Sequence, residues 1–316
     1  MRIGQNPAKF VKTVAQPERI TVAVLNYIPM LSGYYADLLN VLKAHLSSLR
    51  QNAGLPFDLM VFDNGSCEEV QEFLLDEFNS GDIEYLLLSR KNLGKGGAWN
   101  ILFGGAPGEI VAYTDNDVLF SKGWLKESME ILEVFPNVGM VTARPFRTNP
   151  DYYSATVKWA TGNPEVKMQK GSLVNWEDFR DFDLSLGQAL EDIQKRFSET
   201  EDIRFEYHGI RAFAGASHWQ FTAYKSVLQK YLPFTMDRPM GQVKQLDQQM
   251  NAEGYLRLMT AQPLAMNMSN QVSVSPTNIL NSNKKQISRN GFFGIKPIKA
   301  LLMRVYNWIF NLYYRD

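Results

Sequence analysis

The sequence predicts an α/β protein, a mostly parallel sheet with helices on both faces, and three observations carry that expectation. Residues 20–25, 57–62 and 110–113 are short, nearly continuous apolar runs, the pattern of strands covered on both sides. Stretches with a helical period lie between them; residues 34–50, for instance, place apolar side chains at 35, 38, 39, 42 and 46. Strand and helix alternating at this short spacing call for right-handed crossovers between parallel strands.

The elements follow in order. Residues 1–18 are polar and expected to form a flexible N-terminus. The first strand, 20–25, ends at Asn26-Tyr27-Ile28-Pro29, and the helix over 34–50 follows. The second strand, 57–62, stops in Asp63-Asn64-Gly65-Ser66; then come a helix at 67–78 and a third strand at 83–88. Residues 92–97 form a glycine-rich turn into a helix at 97–103. The fourth strand gives way to Thr114-Asp115-Asn116-Asp117, followed by a helix at 123–135 and a strand at 138–143. From 144 to 211 the pattern loosens around Pro145, Pro150 and Pro164, which suggests an inserted or acceptor-side segment. Strand character resumes at 213–221, with helices at 224–231 and 242–253 and a strand at 255–259.

Residues 267–291 are rich in Asn and Ser and read as a mobile linker. Beyond them, Ile298, Leu301, Leu302, Val305, Ile309 and Leu312 share one helical face, and residues 284–316 carry a net charge of +6. A basic amphipathic helix of this kind suits the headgroup region of an anionic leaflet; packing on the body or on a second subunit is the other use of such a face. The expected division is therefore 1–18, 19–144, 145–265, and a linker with a membrane-associating tail at 266–316.

Composition excludes several classes. The 316 residues are 45% hydrophobic and 21% charged, enough for a sizeable core. Lys plus Arg and Asp plus Glu both number 33, which argues against a dedicated nucleic-acid binder. One cysteine, Cys67, excludes an internal disulfide, and three scattered histidines make a histidine-rich zinc site unexpected. The first nineteen residues lack the apolar segment of a secretory signal, and no run of about 18 apolar residues could span a bilayer. The expected location is cytoplasmic, peripheral on the inner membrane face.

The chemistry starts at the end of the fourth strand. A buried strand that ends in two carboxylates must solvate them, pair them or give them a cation. In open α/β sheets ligands gather at the carboxyl ends of the strands. Asp115 and Asp117 are hard oxygen ligands suited to Mg²⁺ or Mn²⁺ with open positions for phosphates. A solvated turn starting the next helix is the competing explanation.

Three stretches in register, Val61-Phe-Asp-Asn-Gly-Ser66, Asn92-Leu-Gly-Lys-Gly-Gly-Ala-Trp-Asn100 and Gly108-Glu-Ile-Val-Ala-Tyr-Thr-Asp-Asn-Asp117, together resemble the nucleotide-sugar half of a GT-A glycosyltransferase of family 2, the inverting type with a Rossmann-like sheet. The resemblance covers residues 19–145 well and 212–262 loosely. It implies that Asp63 accepts a hydrogen bond from a pyrimidine N–H, with Leu25 and Tyr27 lining the same pocket. Relatives usually carry Asn where Ile28 stands. Asn92, Gly94 and Lys95 would cross near the ribose and diphosphate, with Lys95 as the nearest cation because Trp99 replaces the arginine frequent in relatives. Gly96 and Gly97 could equally serve close helix packing.

Asp115, Asn116 and Asp117 would form the DXD motif, Asp117 binding the ion directly and Asp115 reaching the ribose or the ion through water. The histidine that many relatives add as a ligand has no counterpart in 263–270, where Asn267 is the nearest substitute. Asp247 in Leu246-Asp-Gln-Gln-Met-Asn-Ala-Glu-Gly-Tyr255 would be the general base, with Asp237 and Glu253 behind it; an ordinary helix carboxylate is the plain alternative. Gly215, His218 and Trp219 would form the acceptor floor, although a strand tryptophan or histidine often serves the core instead.

The function so implied is transfer of a sugar from a UDP- or dTDP-sugar to a glycan or lipid-linked saccharide, with Mn²⁺ or Mg²⁺ bound. One rival is a catalytically silent nucleotide- or glycan-binding protein, whose binding of UDP would not depend on metal. The other, a sugar-nucleotidyltransferase, would need a Lys/Arg-bearing glycine loop after the first strand, and 26–32 has neither charge. An oligomer is compatible with all three.

Overall fold

The computed structural model describes residues 4–237 and 242–272. The first apolar run forms β1 (Ile20–Asn26), and a short 3-10 turn at Gly33–Tyr35 precedes α1 (Leu38–Asn52). That helix starts four residues later than its periodicity suggested. β2 (Asp58–Asp63), α2 (Glu68–Asn79) and β3 (Tyr85–Leu88) complete a parallel three-stranded edge in which β1 lies beside β2 and β2 beside β3. α3 (Gly94–Gly105) leads into β4 (Ile110–Asp115), parallel to β1 on its other side. β5 (Val118–Phe120), α4 (Trp124–Val134) and β6 (Val138–Thr142) follow.

The stretch the sequence left loose holds α5 (Ser154–Gly162), β7 (Lys167–Gly171), α6 (Trp176–Ser185), α7 (Leu190–Glu199) and β8 (Asp202–Tyr207). The expected strand over 213–221 is two strands, β9 (Ile210–Ala214) and β10 (Gln220–Tyr224), in different parts of the sheet. Gly215 breaks them apart: its φ of +117° suits glycine, and a Cβ there would come 3.0 Å from Met259 Cε. α8 (Lys225–Leu228), α9 (Gln242–Ala252), β11 (Leu256–Thr260) and β12 (Ala265–Asn267) close the described chain.

Among the described residues ten strands form one sheet in the order β3-β2-β1-β4-β10-β6-β11-β9-β8-β7. β1 to β4, β6 and β11 run one way; β10 is inserted antiparallel between β4 and β6, and β9, β8 and β7 extend the sheet antiparallel. Both halves expected from the sequence thus share one sheet, and Met1–Val272 is one compact unit. The second unit, Ser273–Asp316, and with it the expected amphipathic tail, lies outside the described residues.

The near-continuous apolar strands are explained by burial on two faces. Along β1, Val22 and Val24 enter the core under α1 and α4, with Leu42, Leu46, Leu49 and Trp124, while Ala23 between them faces the other core. On that second face Trp99 and Phe103 of α3 stack edge-on against Tyr113 of β4 at 5.5 and 5.7 Å between ring centres. A third, smaller cluster of Val174, Phe179, Ile193, Phe213 and Met259 lies beneath α6 and α7. Arg147 pins that region, its guanidinium paired with Asp202 at 2.9 Å and lying 4.8 and 4.7 Å from the Phe179 and Phe197 ring centres.

Candidate active site

Where β1, β2 and β4 end, the apolar pattern gives way to a buried polar ladder. Asn116 Nδ2 donates to Asn26 Oδ1 at 2.6 Å, and Asn26 Nδ2 donates to Asp63 Oδ1 at 2.8 Å and to Ser66 Oγ at 3.0 Å. The other Asp63 oxygen accepts from Ser66 N at 3.1 Å and from Gln71 Nε2 at 3.0 Å. Asp63 is 0% exposed and already serves three donors. The carboxylate has no exposed surface, so the expected contact with a nucleobase N–H requires the ladder to open around it. Leu25 and Tyr27 are half-buried beside it, and Ile28 is fully buried in the core.

The loop after β3 is tied to this ladder. Asn92 Oδ1 accepts from Gly94 N at 2.8 Å and from Asn64 Nδ2 at 3.0 Å, while Leu93 N donates to Asn64 Oδ1 at 2.8 Å. The helix starts at Gly94, three residues earlier than expected, so Lys95 sits in its first turn. Gly94 has a φ of +68°, a conformation side chains avoid, and a Cβ on Gly97 would come within 2.7 Å of Leu93 Cβ and 2.9 Å of Met236 Sδ. Close packing is therefore the use that Gly97 shows.

Lys95 has an anionic partner within the chain. Its Nζ donates to both oxygens of Asp115 at 2.8 Å, and it lies 5.6 and 5.4 Å from the centres of the Trp99 and Tyr113 rings. An ammonium walled in by aromatics keeps its charge only with a close partner. Tyr113 Oη donates to the same carboxylate at 2.5 Å, and burial, then the Asp115 charge, holds its phenol well above the ordinary tyrosine range. Lys95 thus neutralises Asp115 instead of standing free for a diphosphate. Trp99 is fully buried in an aromatic cluster with Phe103, Tyr113, Phe221 and Phe234.

Asp117 has Asn267 as its side-chain partner and makes no ion pair among the described residues. Burial first, and the Asp115 charge second, push it up to about 7. β12 pairs antiparallel with β5, and this brings Asn267 Nδ2 to 3.3 Å from Asp117 Oδ2, while Met268 N donates to the Asp117 carbonyl at 2.7 Å. Asn267 therefore does stand beside Asp117. A charge-starved carboxylate with an amide at its side fits a divalent ion that takes its remaining ligands from water and phosphate. Among the described residues no three His, Cys, Asp or Glu gather into a closed metal cage.

The crossing between β9 and β10 carries the residues expected on the acceptor side. Gly215 N donates to the Arg257 carbonyl at 2.9 Å, and Asp115 N donates to the Trp219 carbonyl at 2.9 Å, so residues 215–219 span from β11 to the acidic turn. The Trp219 indole packs 5.6 Å from Phe182 and 6.3 Å from Phe146, and its Nε1 is buried without a partner; it forms wall as much as platform. Asp247 on α9 is 3% exposed, paired with Arg257 at 2.5 Å and lying 3.2 Å from His218 Nδ1. Both oxygens of Asp247, expected as the general base, thus have partners of their own. Glu253 is an exposed acceptor for the Tyr231 hydroxyl at the end of α9, away from this centre, and Asp237 is exposed.

A cleft of about 840 Å³ opens on this half of the chain, lined among others by Arg147, Thr148, Tyr153, Val157, Lys158 and Arg196. Thr148 joins it to the floor: a Cβ on Gly215 would lie 3.3 Å from Thr148 Oγ1.

A family model described as glycosyl transferase family 2 matches residues 34–211, more than half of the chain. The chain belongs to glycosyl transferase family 2. The α/β sheet with helices on both faces is the GT-A arrangement expected from that membership. Among solved structures, it is similar to residues 1–349 of TarS from S. aureus at 15% identity and a TM-score of 0.43, covering 76% of this chain and 56% of that one. It is also similar to a longer TarS chain at 14% identity and a TM-score of 0.45, covering 88% and 41%. The mannosyltransferase PcManGT from Pyrobaculum calidifontis, in complex with GDP-Man and Mn2+, aligns at 16% identity and a TM-score of 0.46, covering 90% and 68%. The chain thus spans about half the length of the TarS chains. No curated protein sequence matches it.

The family 2 match takes in Asp63, Asn92, Lys95, Asp115 and Asp117, and ends before Gly215, His218, Trp219 and Asp247. Three participants escaped the sequence reading. Asn26 and Arg257 each left a signal, a polar residue at the end of or inside an apolar run; Gln71, on an ordinary helix face, left none.

Proposed function

We propose that this family 2 protein transfers a sugar, with inversion, from a nucleoside-diphosphate donor, UDP- or dTDP-linked, to the hydroxyl of a glycan or lipid-linked saccharide. The observation that carries the reading is the placement of Asp117 just past the end of β4, with Asn267 Nδ2 3.3 Å from its Oδ2 and no ion pair to it among the described residues. Asp117 would hold the Mn²⁺ or Mg²⁺ with Asn267 beside it, and Asp115, already neutralised by Lys95, would face the ribose. The ion, when bound, supplies positive charge for the departing diphosphate. Leu25, Tyr27, Asn92 and Gly94 would border the nucleoside, and the ladder through Asn116, Asn26 and Asp63 would set the pocket's shape. The acceptor would enter along the Thr148 cleft and give its proton to the Asp247–His218 pair.

Among the described residues no helix is long and apolar enough to cross a membrane. The basic segment after residue 284 would bring the enzyme to an anionic leaflet, where lipid-linked acceptors lie. Calorimetry of UDP with and without Mn²⁺, followed by a donor screen, tests the proposal. Binding that strengthens with metal, and turnover of one sugar nucleotide, are expected; metal-indifferent binding with no turnover would leave the silent binding protein, a reading favoured by the closed Lys95–Asp115 pair.

A further inference from the structure

Asp247 faces inward. Its side chain is 5% exposed, Oδ1 accepts from Arg257 Nη2, and Oδ2 lies 3.2 Å from His218 Nδ1. Arg257 is fully buried and anchored by the carbonyls of Tyr152 at 2.9 Å and Ala216 at 2.8 Å, so it cannot swing aside. A general base must come within about 2.6–3.2 Å of the proton it takes, and this carboxylate would have to break a buried ion pair to do so. His218 is placed differently. Its side chain is 28% exposed, its Nδ1 is turned to Asp247, and the opposite nitrogen, Nε2, has no partner among the described residues. Ser217 bridges back to Gln220, so His218 and Trp219 form the tip of a tight turn, and the Trp219 carbonyl accepts from Asp115 N at 2.9 Å. The ring therefore sits in a turn tied to Asp115, with the buried Asp247–Arg257 pair behind its Nδ1.

Resting on the transfer reading above, we propose that His218 Nε2 is the group that takes the acceptor's proton, and that Asp247 is a positioning residue acting through it. A carboxylate behind Nδ1–H fixes the tautomer that leaves Nε2 its lone pair, the logic of an aspartate–histidine couple. In the step, the acceptor oxygen bonds to the anomeric carbon while the bond from that carbon to the diphosphate oxygen breaks. The bonding pair leaves with the diphosphate, the hydroxyl proton passes to Nε2, and Asp247 holds the imidazolium. Arg257 keeps the carboxylate in place, and Asp115, bonded through its N–H to the neighbouring Trp219 carbonyl, is balanced by Lys95.

The full chain has three histidines, so long-range ¹⁵N NMR can isolate His218, with His218→Gln identifying its signals. The expected wild-type form is Nδ1–H. In Asp247→Asn, Arg257 keeps the amide oxygen, the amide NH₂ faces Nδ1, and the ring should switch to Nε2–H. With the donor that turns over, His218→Gln should lower kcat about 10²–10⁴-fold with little change in donor KM. A wild-type Nε2–H ring, or a His218→Gln variant keeping more than about a tenth of kcat, would overturn the proposal. A wild type that turns over no sugar nucleotide would instead overturn the transfer reading, and the base role with it.

Discussion

Asp117→Asn should make the metal-free protein more stable. The folded carboxyl is raised from 3.8 to about 7, chiefly by burial, so the folded state prefers it protonated. The stability it contributes is whole below pH 3.8 and is lost as pH rises through 7. A rise of about three units corresponds to a ceiling of about 4 kcal/mol; halving it because the site is partly open leaves about 2 kcal/mol at pH 8. The amide removes that charge at similar volume and keeps the contact with Asn267. For a folded body of this size about 2 kcal/mol is a rise in Tm of roughly 5 °C. Scanning calorimetry in EDTA at pH 8 reads the gap, which should shrink by more than half at pH 5, where the wild-type carboxyl keeps its proton. Adding Mn²⁺ with UDP should raise the wild-type Tm and leave the variant unmoved. A variant that melts at or below wild type in EDTA at pH 8 would refute the claim that Asp117 is a buried charge lacking its cation.

Three further outcomes can be checked by unfolding. Lys95→Met removes the partner of Asp115 and should cost about 2–3 kcal/mol in urea midpoint analysis, the low end for a broken buried pair because Asp115 reaches solvent; Lys95→Met with Asp115→Asn should recover most of it. His45 is fully buried, its Nδ1 on the Val118 carbonyl at 2.7 Å, and burial pulls it down to about 4. The neutral ring's contribution is whole above pH 6.5 and is lost as pH falls from there toward 4, a drop of about 3 kcal/mol that His45→Gln should abolish in urea titrations at pH 7.5 and 4.5. Trp99→Ala empties the aromatic cluster behind the Lys95–Asp115 pair and should cost about 3–5 kcal/mol by thermal denaturation.

The parts of this molecule that could be read from its sequence are those whose physics is local. β1, β2 and β4 announce themselves because a strand buried on both faces must be apolar at every position, and Asp63 and Asp117 stand out where such runs stop. The same rule marked Asn26, whose side chain links Asn116 to Asp63; it passed for a mere strand end. What could not be read are pairings made across the fold. Lys95 and Asp115 are twenty residues apart on a helix and a strand, and nothing in either stretch says that they close on each other. Residues 145–211 were opaque for a different reason. Their helices are short and buried on narrow stripes, α5 being set between Pro150 and Pro164, and Arg147–Asp202 holds them from outside the segment's own periodicity.

Arg257 joins these two kinds of information. A charged residue inside the apolar run 255–259 is a conflict that only a buried partner resolves, and Asp247, ten residues earlier, is that partner. Burial of the pair makes sense of β10. An antiparallel strand between β4 and β6 interrupts the run of parallel strands from β3 to β11, and its value lies in the crossing that feeds it: residues 215–219 bond to Arg257 at one end and to Asp115 at the other. One five-residue bridge therefore fixes the distance between the carboxylate that lacks a cation and the histidine that backs onto Asp247. A lone base on a mobile loop would leave that distance to chance, whereas hydrogen bonds from two strands hold it before any substrate arrives.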